Sequence, residues 1–125
     1  MGSQDQRGDG IDGHLPLKPQ WFHMLLALSG ATQHGSAIVR TVLEQTDGKL
    51  RLWPVTLYSS LDELVEHGWI RELTEPGERP SGESGRKRFY RITGDGATIL
   101  AAEANRLRSL AMAALERVSS ETGTT

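Results

Sequence analysis

Arg86, Lys87 and Arg88 stand in line between a glycine- and serine-rich tip, Ser81 to Gly85, and the alternating run Phe89-Tyr90-Arg91-Ile92. Three cations in a row share one chemistry, the binding of anionic oxygens and of phosphate above all. Upstream, Thr56, Tyr58, Ser59 and Ser60 carry four hydroxyls within about one and a half helical turns, with no charge among them. Hydroxyls both donate and accept, which suits the reading of polar edges. Other chemistry is sparse. Four histidines, 14, 23, 34 and 67, share no metal-ligand spacing, and the chain has no cysteine. Ser60 and His67 lie two turns apart, too far for one to activate the other, and no glycine-rich phosphate loop follows a strand. The expectation is a binding protein with no cofactor and no metal, not an enzyme.

The 125 residues carry a formal charge of -2, so bulk charge makes no case for a polyanionic partner. Its distribution does. Between Asp62 and Glu78 six acidic residues face a single cation, Arg71, whereas from Arg79 to Arg91 five cations face only Glu83. No apolar run approaches a membrane span and the N-terminus lacks a secretory pattern, so the expected location is cytoplasmic, with no membrane partner.

Along the chain, residues 1–14 are too polar to bury anything and are expected to be a disordered tail. Pro19 suits a first helical turn and is followed by Trp21, Phe22, Met24, Leu25 and Leu28 up to Ser29-Gly30, a helix over about 19–29. Gly35 opens a second helix to about 46, with Ile38, Val39, Val42 and Leu43 as its apolar face. Lys49-Leu50-Arg51-Leu52 alternates and is expected to be a short strand. Pro54 then starts a third helix with Leu57, Leu61, Leu64 and Val65 as its buried stripe and Gly68 as its left-handed cap. Its outward face is uncharged over Thr56, Ser59 and Ser60 and acidic over Asp62, Glu63 and Glu66. Trp69–Leu73 and Arg88–Ile92 read as a hairpin with a long tip, and Ala97 to Val118 as a long helix.

Helix, helix, short strand, helix and basic-tipped hairpin is the order of a winged helix-turn-helix, whose third helix enters the major groove while the wing grips the backbone. The expected fold class is mainly α with a small β-hairpin (α+β), with the DNA-binding domain at 15–93, a C-terminal dimerisation helix at 94–118 and a disordered tail at 119–125. The expected contacts with double-stranded DNA divide into two kinds. Thr56, Tyr58, Ser59 and Ser60 read bases, and Arg86, Lys87, Arg88 and Arg51 hold phosphates.

The stretch "HGSAIVRTVLEQTDGKLRLWPVTLYSSLDELVEHGWI", followed by "RKRFYRITGDG", resembles the PadR family of bacterial transcriptional regulators over about residues 20–118. His34-Gly35 matches the entry of helix two, Thr56-Leu57-Tyr58 the recognition helix, Gly68-Trp69-Ile70 its exit, and Tyr90-Arg91-Ile92-Thr93 with Gly96 the return of the wing. Ser36 stands where the family usually has an aromatic, Trp69 where it has leucine, and Trp53-Pro54-Val55 where Ser-Pro-Gly is common. The resemblance implies a homodimeric repressor on a palindromic operator and is compatible with a small aromatic or drug-like effector. Independently of it, Leu100, Ala104, Leu107, Ala111, Ala114 and Val118 are spaced 4, 3, 4, 3, 4, the seam of a coiled-coil-like dimer contact. The alternative use of that stripe is to cover Trp21, Phe22 and Met24 of helix one. The competing function is a winged-helix module for protein contact only, docking through the acidic face of Asp62, Glu63 and Glu66.

Overall fold

The structure, a computed structural model, describes residues 11–80 and 87–124. Arg86 and the tip before it, with residues 1–10, lie outside the described residues. Two compact units divide the chain, residues 17–100 forming one. This unit contains helix α1 (Pro19–Gly30), strand β1 (Gln33–His34), helix α2 (Gly35–Gln45), helix α3 (Pro54–Glu66), strands β2 (Ile70–Leu73) and β3 (Phe89–Ile92), and the first turns of helix α4 (Gly94–Thr124).

The helices form where apolar periodicity and end signals agree. In α1, Pro19 occupies the first turn and Trp21, Met24, Leu25 and Leu28 face the core. The start of α2 is capped in an unusual way, by the His34 ring, whose Nδ1 accepts from the Ala37 N–H at 3.4 Å. Thr46 closes its other end, donating to the Val42 carbonyl at 2.8 Å and accepting from the Leu50 N–H at 3.0 Å. Helix α3 begins at Pro54 without a side-chain cap and ends at Gly68, whose φ of +78° is the left-handed value that glycine adopts at least cost. Leu57, Leu61 and Leu64 are its buried stripe, but Val65 is exposed, and Ser60 takes its place in the core.

The sheet is antiparallel in the order β1-β3-β2, with Gln33 opposite Tyr90 on one edge of β3 and Ile70 opposite Ile92 on the other. Its third strand therefore comes from Gln33–His34 and not from Lys49–Leu52, which forms no strand. The reason is geometric: both edges of β3 are occupied, and residues 49–52 contribute packing, with Leu52 buried. Phe89 and Tyr90 are buried, and burial pushes the Tyr90 phenol above its ordinary pKa. Trp21 and Trp69 meet edge to face at 5.7 Å in the same core.

The passage from β3 into α4 is the tightest point. Thr93 donates its backbone N–H to the Trp69 carbonyl at 3.0 Å and its hydroxyl to the Gly68 carbonyl at 2.6 Å, while accepting from the Gly96 N–H at 3.0 Å. A Cβ at Gly96 would collide with the Trp69 carbonyl oxygen and lie 2.8 Å from Ile92 Cγ1. The helix begins three residues earlier than Ala97 and continues to Thr124, beyond Val118, its expected end.

The second unit comprises the described parts of residues 1–16 and 101–125. Of the expected N-terminal tail, Asp12–His14 form a single 3-10 turn. In the helical part, Glu103 is buried and its carboxylate is held by Arg106 through bonds of 2.5 and 3.0 Å. Leu107, Leu110, Leu115 and Val118 are exposed.

Gly96→Ala is expected to destabilise the protein by about 3 kcal/mol, as overpacking against backbone does. Gly94→Ala, whose added methyl meets nothing within 4 Å, should be neutral or slightly stabilising. Urea denaturation of both variants checks the pair.

Candidate nucleic-acid interface

The outermost line of α3 reads Val55, Ser59, Asp62 and Glu66, at helical spacings of four, three and four. All four are exposed, as are Thr56 and Tyr58, so the solvent face is uncharged along its front and acidic behind. Glu63 stands at the margin of that acidic surface and is held there. Its carboxylate accepts from the Trp21 indole at 3.1 Å and from Lys18 at 3.3 Å, and Lys18 also lies over the Trp21 ring at 4.6 Å. Of the acidic face expected over Asp62, Glu63 and Glu66, Asp62 and Glu66 are exposed, and Glu63 is partly exposed and partly offset by Lys18.

Ser60 requires a second correction. Expected among the groups that reach bases, it is instead 1% exposed, and its hydroxyl has no hydrogen-bond partner among the described residues. The helix turn places it at the edge of the Leu57, Leu61 and Leu64 stripe, where sequence spacing alone left its side ambiguous. Thr56, Tyr58 and Ser59 remain on the open side.

Tyr58 is half exposed and leans across the start of α2, where the space at Gly35 admits it. A Cβ there would lie 3.5 Å from the Tyr58 hydroxyl and 3.3 Å from Leu57 Cδ2. This contact gathers His34, Gly35 and Ser36 from the start of α2, Tyr58 from α3, and Lys87 and Arg88 from the wing around a notch of about 220 Å³. Beside it a groove of about 390 Å³ is lined by Val39, Arg51, Leu52, Trp53 and Leu57, among others. Sequence reasoning missed Ser36, Trp53 and Val55 as members of this surface. Their signal was negative: each departs from the residue that the resemblance leads one to expect.

The four cations expected to hold phosphate stand differently. Lys87 is exposed and lines the notch. The Arg51 guanidinium rests on the Trp53 ring at 4.6 Å, next to the start of α3. Arg88 forms a fork to Glu72 across the hairpin at 3.0 and 3.1 Å, and the bond keeps its guanidinium charged. Arg88 is therefore committed first to the wing's own structure. Arg86 lies outside the described residues. Arg71 and Arg91 face each other across β2 and β3, and Glu78, held below the usual carboxylate range by its bond from Arg71, offsets their repulsion. Arg79 donates to the Lys87 carbonyl and joins the two legs of the hairpin.

Among the described residues no three histidines or carboxylates gather as metal ligands, and no helix is long and apolar enough to cross a membrane.

The sequence model of the transcriptional regulator PadR-like family matches residues 24–102, from α1 through the first turns of α4. The chain belongs to that family. Solved structures share its fold. A transcriptional regulator from Clostridium thermocellum is 22% identical with a TM-score of 0.64, over 86% of this chain and 93% of that one. A PadR family transcription regulator from Clostridium difficile is 18% identical with a TM-score of 0.65, over 81% and 99%. Bacillus subtilis PadR in complex with operator DNA is 21% identical with a TM-score of 0.57, over 70% of this chain and 47% of that one. No curated protein matches the sequence. The chain therefore has the frame of PadR-like regulators, a winged helix-turn-helix with the β2–β3 hairpin as its wing.

Because Ser60 is buried, Ser60→Ala should leave DNA affinity unchanged and stabilise the fold by up to about 1 kcal/mol, since it removes a buried hydroxyl without a partner. Thermal denaturation alongside a DNA titration checks both halves.

Proposed function

We propose that this PadR-like regulator is a homodimeric repressor that occupies a palindromic operator in the cytoplasm, with α3 in the major groove and the wing on the adjacent backbone. The observation that carries the proposal is the charge layout of one surface. The front half of α3 is free of charge over Trp53–Leu61, has Arg51 and Lys87 beside it, and carries its acids only from Asp62 onward. A helix so built enters a polyanion front end first, with its acidic rear tilted away from the phosphates. The Bacillus subtilis relative, solved in complex with operator DNA, supports the DNA-binding reading. The reading as a protein-docking module loses support, because Glu63, the centre of its acidic face, is spent on Trp21 and Lys18.

The dimer is assigned to α4. Leu107, Ala111, Ala114 and Val118 of the expected seam are exposed, and the exposed Leu110 and Leu115 flank them, giving a stripe broad enough for a second copy. Leu100 and Ala104 continue the same line toward the helix start. Two-fold symmetry then presents two recognition helices to two half-sites.

Leu107→Asp should yield a monomer, since an unpaired carboxylate in an apolar seam costs several kcal/mol. Sedimentation at micromolar concentration measures this, and a dimer that persists would remove α4 as the main interface.

Titrations of a DNA site selected from random sequence, at several salt concentrations, test the DNA face. Lys87→Ala should weaken selected and random duplexes alike and flatten the slope of log K against log salt by about 0.9 for each phosphate that Lys87 neutralises, counted twice in a dimer. Ser59→Ala should cost roughly 1–3 kcal/mol on the selected site and little on random DNA.

A further inference from the structure

Within residues 17–100 the exposed large apolar side chains are Leu26, Trp53, Val55, Tyr58 and Val65, and three of the five sit at the leading end of α3. Val55 is the extreme case at 84% exposed, with Trp53 two residues before it at 61%. Exposed apolar residues scattered singly need no explanation, but Trp53, Pro54 and Val55 are exposed one after another, next to the hydroxyls of Thr56, Tyr58 and Ser59 and the cation of Arg51. The helix needs Pro54 at its start but not the side chains of Trp53 and Val55. Its buried stripe is complete without them, and Trp53 supplies no side-chain cap to α3.

We propose that Val55 is a specificity-determining residue that reads the C5-methyl group of a thymine in each operator half-site, and that Trp53 with Arg51 fixes the depth at which it does so. The inference rests on the DNA-binding reading above and deepens it. In the major groove the thymine methyl is the one apolar group that a base pair presents, so an apolar side chain that leads the helix into the groove has a single complementary partner there. Val55 leads: it starts the outermost line of α3, one turn ahead of Ser59. Its branched side chain is stiff and offers two methyl groups with little rotamer freedom to lose. Trp53 is held by the Arg51 guanidinium on its ring at 4.6 Å, which sets a cation at the rim while Val55 points outward. Tyr58, which also has an apolar ring on this face, is braced against Gly35 and lies to the side of that line. No acidic side chain occurs between Arg51 and Leu61, so nothing at this tip opposes a polyanion.

The test begins with duplexes selected by the wild-type protein from a random-sequence library. Each dT of the selected site is then replaced in turn by dU, which deletes the methyl group and leaves every hydrogen-bonding edge unchanged. Wild-type protein should lose affinity about fourfold per half-site at one symmetric thymine, the worth of one buried methyl group, and roughly 15-fold when both halves are replaced. Val55→Ala should bind the dT and dU duplexes at that position equally, while Ser59→Ala should keep the wild-type ratio. Circular dichroism establishes that both variants are folded, as expected for changes at exposed positions. If no dU substitution matters, or if Val55→Ala retains the full dT-to-dU ratio, the inference is overturned while the DNA-binding function stands. Failure of the wild-type protein to enrich any duplex would overturn both.

Discussion

Strand β3 is paired on both edges, with β2 along all of Phe89–Ile92 and with β1 at Phe89 and Tyr90. On this double pairing the arrangement of the surface depends. The β1 edge ties the wing's return strand to the start of α2, and the β2 edge ties it to the exit of α3. Lys87 and Arg88, directly before β3, are thereby brought to the notch where Ser36 and Tyr58 converge. A free hairpin of two short strands is marginal in water, whereas a third strand and an apolar face make it a fixed element. Here the apolar face is supplied by Phe89 and Tyr90, both buried.

Helix α3 is held by complementary means. Leu57, Leu61 and Leu64 give it a buried side, and the bond from the Trp21 indole to Glu63 fixes its rotation from a helix 42 residues away in sequence. A carboxylate that accepts from both an indole and an ammonium is oriented in place, and its charge is partly offset by Lys18. Tyr58 has two duties of the same kind, bracing α3 on Gly35 while leaving half its surface to solvent. At the front of α3, Val55, Thr56 and Ser59 stand exposed beside this brace.

The wing shows how charge is divided between structure and binding. Arg71, Arg79 and Arg88 are spent on Glu78, on the Lys87 carbonyl and on Glu72. What reads in the sequence as one basic block over 79–91 therefore has two uses: Arg79 and Arg88 join the hairpin's legs, and Lys87 lines the proposed DNA surface. The distinction follows from the planar fork of arginine, which a carboxylate on the facing strand matches in two bonds.

The elements whose evidence is local were legible in the chain: three helices with their prolines and glycines, the two hairpin strands, the order that makes a winged helix, and the 4-3 spacing of the α4 stripe. Each follows from a periodicity or an end signal carried within a few residues. Which residues share a side was settled by packing. Gln33–His34 became the third strand because β3 had a free edge at that place, while Lys49–Leu52, with a better strand pattern, met no open edge. Ser60 went inward and Val65 outward because, at the margin of an amphipathic stripe, a shift of a few tens of degrees decides burial, and neighbouring helices set it. Glu63 was claimed by Trp21 and Arg88 by Glu72 through contacts distant in the chain, which no local pattern encodes. Hydrophobic periodicity is short-ranged and written in the sequence; the partner of a polar side chain is long-ranged and is settled only when the chain has packed.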